Sequence, residues 1–132
     1  MNEAGINIIC ETESGIGITA PGYSIHQELL LYKQAGLSNY EVLKTATINP
    51  SKTNKELSQI GTIENGKLAN FILNSKNPLE DLRVLKNPKW IMIKGLKINK
   101  NVLNELTKKA KDRNNLVVTA FSYLEYLLVE KV

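Results

Sequence analysis

Gly5-Ile6-Asn7-Ile8-Ile9-Cys10 alternates apolar and polar positions and is rich in β-branched residues, which predicts a short strand with Ile8, Ile9 and Cys10 turned inward. The spacing then changes. Ile25, Leu29 and Tyr32 recur at helical intervals, Leu30 and Leu31 widen the stripe, and Gly36 follows, so a helix is expected over Ile25–Ala35. Ser24 and Gln27 stand three apart at its start, the spacing of a capping box, and Ser38 and Glu41 repeat it before a second helix expected from Tyr40 to Thr47. Asn49-Pro50 is expected to end that helix, because the residue before proline is pushed out of the helical region, and Ser51 to Gln59 reads as a polar loop.

Beyond Gln59 the pattern becomes that of strands. Ile60 to Asn74 sets two β-prone runs on either side of Glu64-Asn65-Gly66-Lys67, and Asn65-Gly66 accepts the positive φ of a type I′ turn, so this stretch is expected to be a hairpin. Asn77-Pro78 to Leu85 reads as a loop with a short helical turn, and Trp90 to Ile98 as a further strand pair about Gly95, with Trp90 in the core. Val102, Leu103, Leu106 and Ala110 return to helical spacing before Asn114-Asn115. Phe121, Leu124, Leu127 and Leu128 form a last apolar stripe, which requires a partner: the hairpin's open face, the preceding helix, or another copy of the chain.

Composition narrows the class. At 132 residues with 42% hydrophobic and 23% charged positions, the chain has the make-up of one globular domain or part of a larger protein. No apolar run is long enough to span a bilayer and Met1–Ala4 lacks the form of a signal peptide, so a cytoplasmic location with no membrane partner is expected. The net charge of +4 gathers in the second half, yet its lysines have no interleaved aromatics and no nucleic-acid motif, and no nucleic-acid partner is expected. One cysteine, Cys10, excludes an internal disulfide.

Candidate chemistry lies at the end of the first strand. Glu11-Thr12-Glu13-Ser14-Gly15 puts polar side chains at its carboxyl end, where α/β enzymes place their chemistry, although two glutamates beside a glycine also suit a solvated turn. Gly15 to Gly22 is too irregular for a dinucleotide fingerprint and lacks the ending of a P-loop. His26, the only histidine, sits in the first turn of the first helix, where the dipole disfavours its cation; a surface or capping role and a functional one both remain open.

The blocks Ala20-Pro21-Gly22, Ser24 to Leu29, Gln34 to Ser38, Glu41 to Pro50, Gly61 to Ala69 and Asn77 to Leu82 stand in the order seen near the C-terminus of the metal-dependent amidohydrolases. Over roughly Gly5 to Asn101 the chain resembles their imidazolonepropionase-like and prolidase-like branch. The resemblance implies an α/β fold: the last strand and helices of a TIM barrel over residues 1–59, part of a composite β-sandwich over 60–100, and a helical tail over 101–132. A whole barrel takes about 250 residues, so only a C-terminal portion fits here.

In enzymes of this kind one or two divalent ions, zinc most often, are held by histidines of earlier strands and by an aspartate on the last. That aspartate aligns with Glu13, which the resemblance makes the catalytic base and a metal ligand, with His26 as a substrate contact at the pocket mouth. Departures are visible: Glu11 replaces a glycine, Glu13 an aspartate, and Thr53-Asn54-Lys55 and Ala69-Asn70 differ from the usual residues. The expected function is therefore the C-terminal segment of a metal-dependent hydrolase acting on a C–N bond of an amide, dipeptide or cyclic amide. By itself the chain is expected to bind no metal and to be inactive. The alternative is a non-catalytic remnant that serves as a structural or self-associating domain. The expected macromolecular partners are an upstream chain or further copies.

Overall fold

The computed structural model of the chain describes residues 5–14 and 22–112. The Gly15-to-Gly22 stretch, apart from Gly22, and the apolar stripe of Phe121, Leu124, Leu127 and Leu128 lie outside the described residues.

Helices make the first layer. Helix α1 covers Ser24–Gln34, one residue earlier than its apolar stripe predicts. The capping box expected at Ser24 and Gln27 does not form: Tyr23 occupies the cap with no side-chain bond, which moves Ser24 inside the first turn and Gln27 one position too far along. The other end is as expected. Gly36 takes φ +101°, its N–H reaches the Lys33 carbonyl at 3.1 Å, and the Leu37 N–H reaches Tyr32 at 3.2 Å, the paired bonds of a Schellman stop.

Helix α2 covers Asn39–Thr45 and carries the expected capping box, with the Glu41 N–H on the Ser38 hydroxyl at 3.3 Å and the Ser38 N–H on the Glu41 carboxylate at 2.8 Å. The polar stretch after it is not simply a loop. Helix α3 runs Ile48–Thr53 and takes Pro50 as its third residue, where a helix has no use for an N–H, so the proline opens a helix as readily as it closes one.

Leu29 of α1, Val42 of α2 and Leu82 of the 3-10 turn Leu82–Lys86 are the buried centre of the core. Thr45 is buried beside them and satisfies its hydroxyl on the Val42 carbonyl at 2.7 Å. The core thus joins α1 and α2 to a turn more than thirty residues downstream, which fixes the helical layer against the segment that leads into the sheet.

Ile6 to Cys10 is extended but pairs with no strand among the described residues, contrary to its pattern. A ladder needs a neighbouring strand, and here helices and their connections supply the hydrogen bonds instead. Cys10 N–H donates to the Thr45 carbonyl at 2.9 Å, Asn49 Nδ2 to the Ile8 carbonyl at 2.8 Å, and Asn7 Nδ2 to Thr53 Oγ1 at 2.7 Å.

The sheet has three antiparallel strands in the order β1 (Phe71–Leu73), β2 (Trp90–Ile93), β3 (Leu96–Asn99), with Ile72 opposite Ile91 and Ile91 opposite Ile98. Lys94 and Gly95 both take positive φ, +50° and +83°, which is the type I′ requirement. The expected strand pair about Gly95 is present, and Trp90 is half-buried with Lys97 Nζ 5.1 Å from its ring. The hairpin expected at Asn65-Gly66 is not. Only Gly66 has positive φ there, the Lys67 N–H closes a single turn on Glu64 at 3.3 Å, and Ile60 to Ile63 forms no strand, so β1 pairs forward with β2. Helix α4, Lys100–Asp112, follows β3 directly, its first N–H groups capped by Asn99 Oδ1 at 3.0 and 3.2 Å. No helix among the described residues is long and apolar enough to cross a membrane.

Candidate functional site

The extended segment ending at Cys10 carries Glu11 to Ser14 alongside α1, and one carboxylate holds the two together. Glu28 accepts the Glu11 backbone N–H at 3.1 Å and the Tyr32 hydroxyl at 2.7 Å, and the Cys10 thiol hydrogen-bonds to it as well. Burial, followed by the charge and hydrogen bond of Glu28, pushes the Cys10 thiol up to about 12. Tyr32 is also pushed up to about 12, by burial first and then by its bond to Glu28. Both groups are thereby kept protonated and donating, and Cys10 is not a nucleophile at neutral pH.

The sequence pattern places Cys10 and Tyr32 on inward faces but assigns Glu28 no role in joining them. The available signal was the spacing of Glu28 and Tyr32, one helical turn apart on the face that meets the first segment.

Glu13 is exposed at the end of this segment and takes φ +43°, a left-handed conformation that costs a non-glycine residue about 1–2 kcal/mol. The hydroxyls of Thr12 and Ser14 are hydrogen-bonded to each other across it, closing a tight bend at its position. The expected site carboxylate thus sits on a strained backbone whose approach is fixed by the Glu11–Glu28 bond.

His26 is the third residue of α1 and is half-buried. Two positions from Glu28, it points about 200° away around the helix, so the imidazole does not share the Glu28 cluster. Burial, with a smaller contribution from the Lys86 ammonium, lowers its pKa, and its buried Nδ1 has no hydrogen-bond partner among the described residues. Lys86 also lies 5.8 Å from the Tyr23 ring, which brings the 3-10 turn Leu82–Lys86 against the start of α1. Near neutral pH His26 is consequently a neutral imidazole, with one ring nitrogen unsatisfied among the described residues.

A three-ligand zinc centre does not fit the donors that the described residues bring together. Among the described residues no three histidine, cysteine, aspartate or glutamate side chains gather closely enough to hold a metal ion, and the sequence has one histidine. A hollow of about 550 Å³ is lined by Thr62, Ile63, Asn65, Lys67 and Phe71 among others, and neither Glu13 nor His26 lines it.

Comparisons with known proteins bear on this arrangement. The model of the amidohydrolase family matches residues 1–98. An ochratoxinase of Aspergillus niger is 32% identical over 91 residues, which cover 67% of this chain and 18% of that enzyme. Among solved structures, a Xaa-Pro dipeptidase with methionine bound in its active site has a TM-score of 0.65 and 28% identity over 74% of this chain and 23% of its own. A candidate prolidase of Bifidobacterium longum has a TM-score of 0.66 and 29% identity, over 83% of this chain and 28% of its own. The chain therefore spans a fifth to roughly a quarter of the length of these relatives.

Proposed function

Because the chain belongs to the amidohydrolase family, we propose that it is the C-terminal segment of a metal-dependent hydrolase that cleaves a C–N bond in an amide or dipeptide. The observation that carries this reading is the family match over residues 1–98, which ends at the last strand of the sheet. The dipeptidase and the candidate prolidase among the similar structures support a small amide or dipeptide as substrate class.

In this reading Glu13 is the carboxylate that the chain contributes to the reacting centre, as general base toward water and as a metal ligand. Its strained backbone supports the assignment, since conformations of this kind are retained where the surroundings hold a residue for a purpose. The Glu28 cluster fixes the path of the segment, so that the longer glutamate side chain starts from a defined point. His26, neutral and with Nδ1 unpaired among the described residues, offers a donor or acceptor to a substrate amide. The metal-binding histidines belong to strands outside this chain. By itself the chain is inactive.

A second reading has its own observation. Among the described residues β1 and β3 are both edges of the three-stranded sheet, and an open edge pairs readily with another strand. A non-catalytic, self-associating domain would use them. Light scattering at high micromolar concentration tests it: dimers or larger species support self-association, and a monomer excludes it.

The test of the first reading is co-production of the chain with the coding region upstream of Met1, followed by assay on a panel of amides and dipeptides. Hydrolysis only in the presence of the upstream part, abolished by Glu13→Gln, is the expected result. Metal-dependent hydrolysis by the isolated chain would overturn the claim that it is inactive alone.

A further inference from the structure

Hydrogen-bond directions in the sheet follow from its one tight turn. Lys94 and Gly95 form a two-residue connection, so Ile93 and Leu96 are the hydrogen-bonded pair that closes it, and the main-chain groups of Ile91 face β3 as well. Those of Met92 and Trp90 then face β1, where they meet Phe71 and Leu73. Ile72 lies between these two pairs, so its N–H and C=O point away from the sheet. Ile72 is 61% exposed and Leu73 40%. Among the described residues no strand takes up this edge.

The two edges differ in charge. β3 carries Lys97, whose main-chain groups point outward by the same alternation; Lys94 stands in the turn before it, and Lys100 opens α4 directly after it. A second copy laid on β3 would bring lysines together, and charged side chains of this kind keep edges from pairing. β1 is Phe71-Ile72-Leu73, with Asn70 before it and Asn74 after it, and none of the five carries a charge. No like-charge repulsion guards it.

β1 is also its own complement. In antiparallel pairing about a two-fold axis through Ile72, the Ile72 N–H of each copy donates to the Ile72 carbonyl of the other. Phe71 then stands opposite Leu73 of the second copy on one face of the sheet, and Ile72 opposite Ile72 on the other. Asn70 falls opposite Asn74, two neutral amides that can each donate and accept.

We infer that two copies of this chain pair through β1, antiparallel and centred on Ile72, so that their three-stranded sheets join into one with β3 at both ends. The inference rests on the self-associating reading given above and goes further by fixing the edge, the direction and the register. It involves neither Glu13 nor His26.

The experiment uses the full-length chain, with light scattering and amide hydrogen exchange followed over a hundredfold range of protein concentration. The expected result is a dimer at high micromolar concentration that dissociates on dilution, with the Ile72 N–H protected only while the dimer is present. Ile72→Lys and Ile72→Glu, changes at an exposed position, each set like charges opposite one another at the axis and should weaken association at least tenfold. An equimolar mixture of the two should pair again, and Lys97→Ser, on the other edge, should leave association unchanged. Association that survives Ile72→Lys, a mixture of the two folded variants that stays monomeric, or association strengthened by Lys97→Ser would overturn the inference and leave the self-associating reading standing. A monomeric wild type would overturn both. Protection of the Ile72 N–H that is independent of concentration would show that another part of the same chain takes the edge, and it too would overturn the inference. The exchange of Ile72 in the wild type decides the matter if either variant fails to fold.

Discussion

The Tyr32 hydroxyl donates to the Glu28 carboxylate at 2.7 Å, and the same carboxylate takes the Glu11 backbone N–H at 3.1 Å, so one side chain of α1 fixes the approach to Glu13. Replacing it by alanine leaves the Tyr32 hydroxyl, the Cys10 thiol and the Glu11 N–H to find water in a half-buried place. Glu28→Ala is therefore expected to lower stability by about 1–3 kcal/mol. Urea denaturation followed by far-ultraviolet circular dichroism measures the loss, and an unchanged midpoint would mean that the cluster contributes nothing.

Cys10 gives a pH dependence with a defined sign. Its thiol titrates at about 12 in the fold against 9.0 unperturbed, so its contribution is complete below pH 9 and is lost as the pH rises toward 12, where only the unfolded chain ionises early. Tyr32 acts in the same direction, from 10.0 to about 12. Stability should fall less steeply between pH 9 and 12 in Cys10→Ala than in the wild type. At pH 8 the native thiol should react with a disulfide reagent far more slowly than the urea-unfolded chain, and equal rates would contradict the buried, protonated thiol.

His26 is the single histidine, and its imidazole titration can be followed by NMR without overlap from another. Its folded pKa lies below 6.5 because burial, and then Lys86, disfavour the cation. The sign is opposite to that of Cys10: the stability it contributes is present above pH 6.5 and is lost as the pH falls through the lowered value. Lys86→Gln should move the titration part of the way back up, since burial remains. A pKa at or above 6.5 in the wild type would contradict the placement of this ring.

Gly61 closes the chain against α3. It has φ +92°, and a Cβ there would stand 2.8 Å from the Thr47 carbonyl oxygen, a backbone atom that has no freedom to move aside. Gly61→Ala should cost about 1–3 kcal/mol in urea denaturation, more than Gly66→Ala, where a Cβ meets nothing within 4 Å. Equal effects at the two glycines would show that backbone conformation alone matters.

Features encoded within one turn of chain were legible in the sequence. The capping box of Ser38 and Glu41 and the stop at Gly36 need only their own neighbours, and both formed. Features that need a distant partner were not. Ile6 to Cys10 has the composition of a strand but is held by Thr45 and Asn49, and Asn65-Gly66 has the composition of a type I′ turn without a strand before it to pair. Pro50 has the signature of a terminator, but its effect depends on which turn of a helix it enters. Glu28 is hidden for a related reason: a glutamate on an amphipathic helix has the signature of a solvated residue until the segment that covers it is known.

The central claim is that this chain contributes Glu13 to a reacting centre whose remaining groups lie in strands outside it. Metal content by elemental analysis, on the chain purified alone and after co-production with the upstream coding region, tests it most directly. The account predicts stoichiometric zinc or another divalent ion only in the combined protein, reduced or lost in Glu13→Gln. Stoichiometric metal on the isolated chain, or no metal in either preparation, would contradict it.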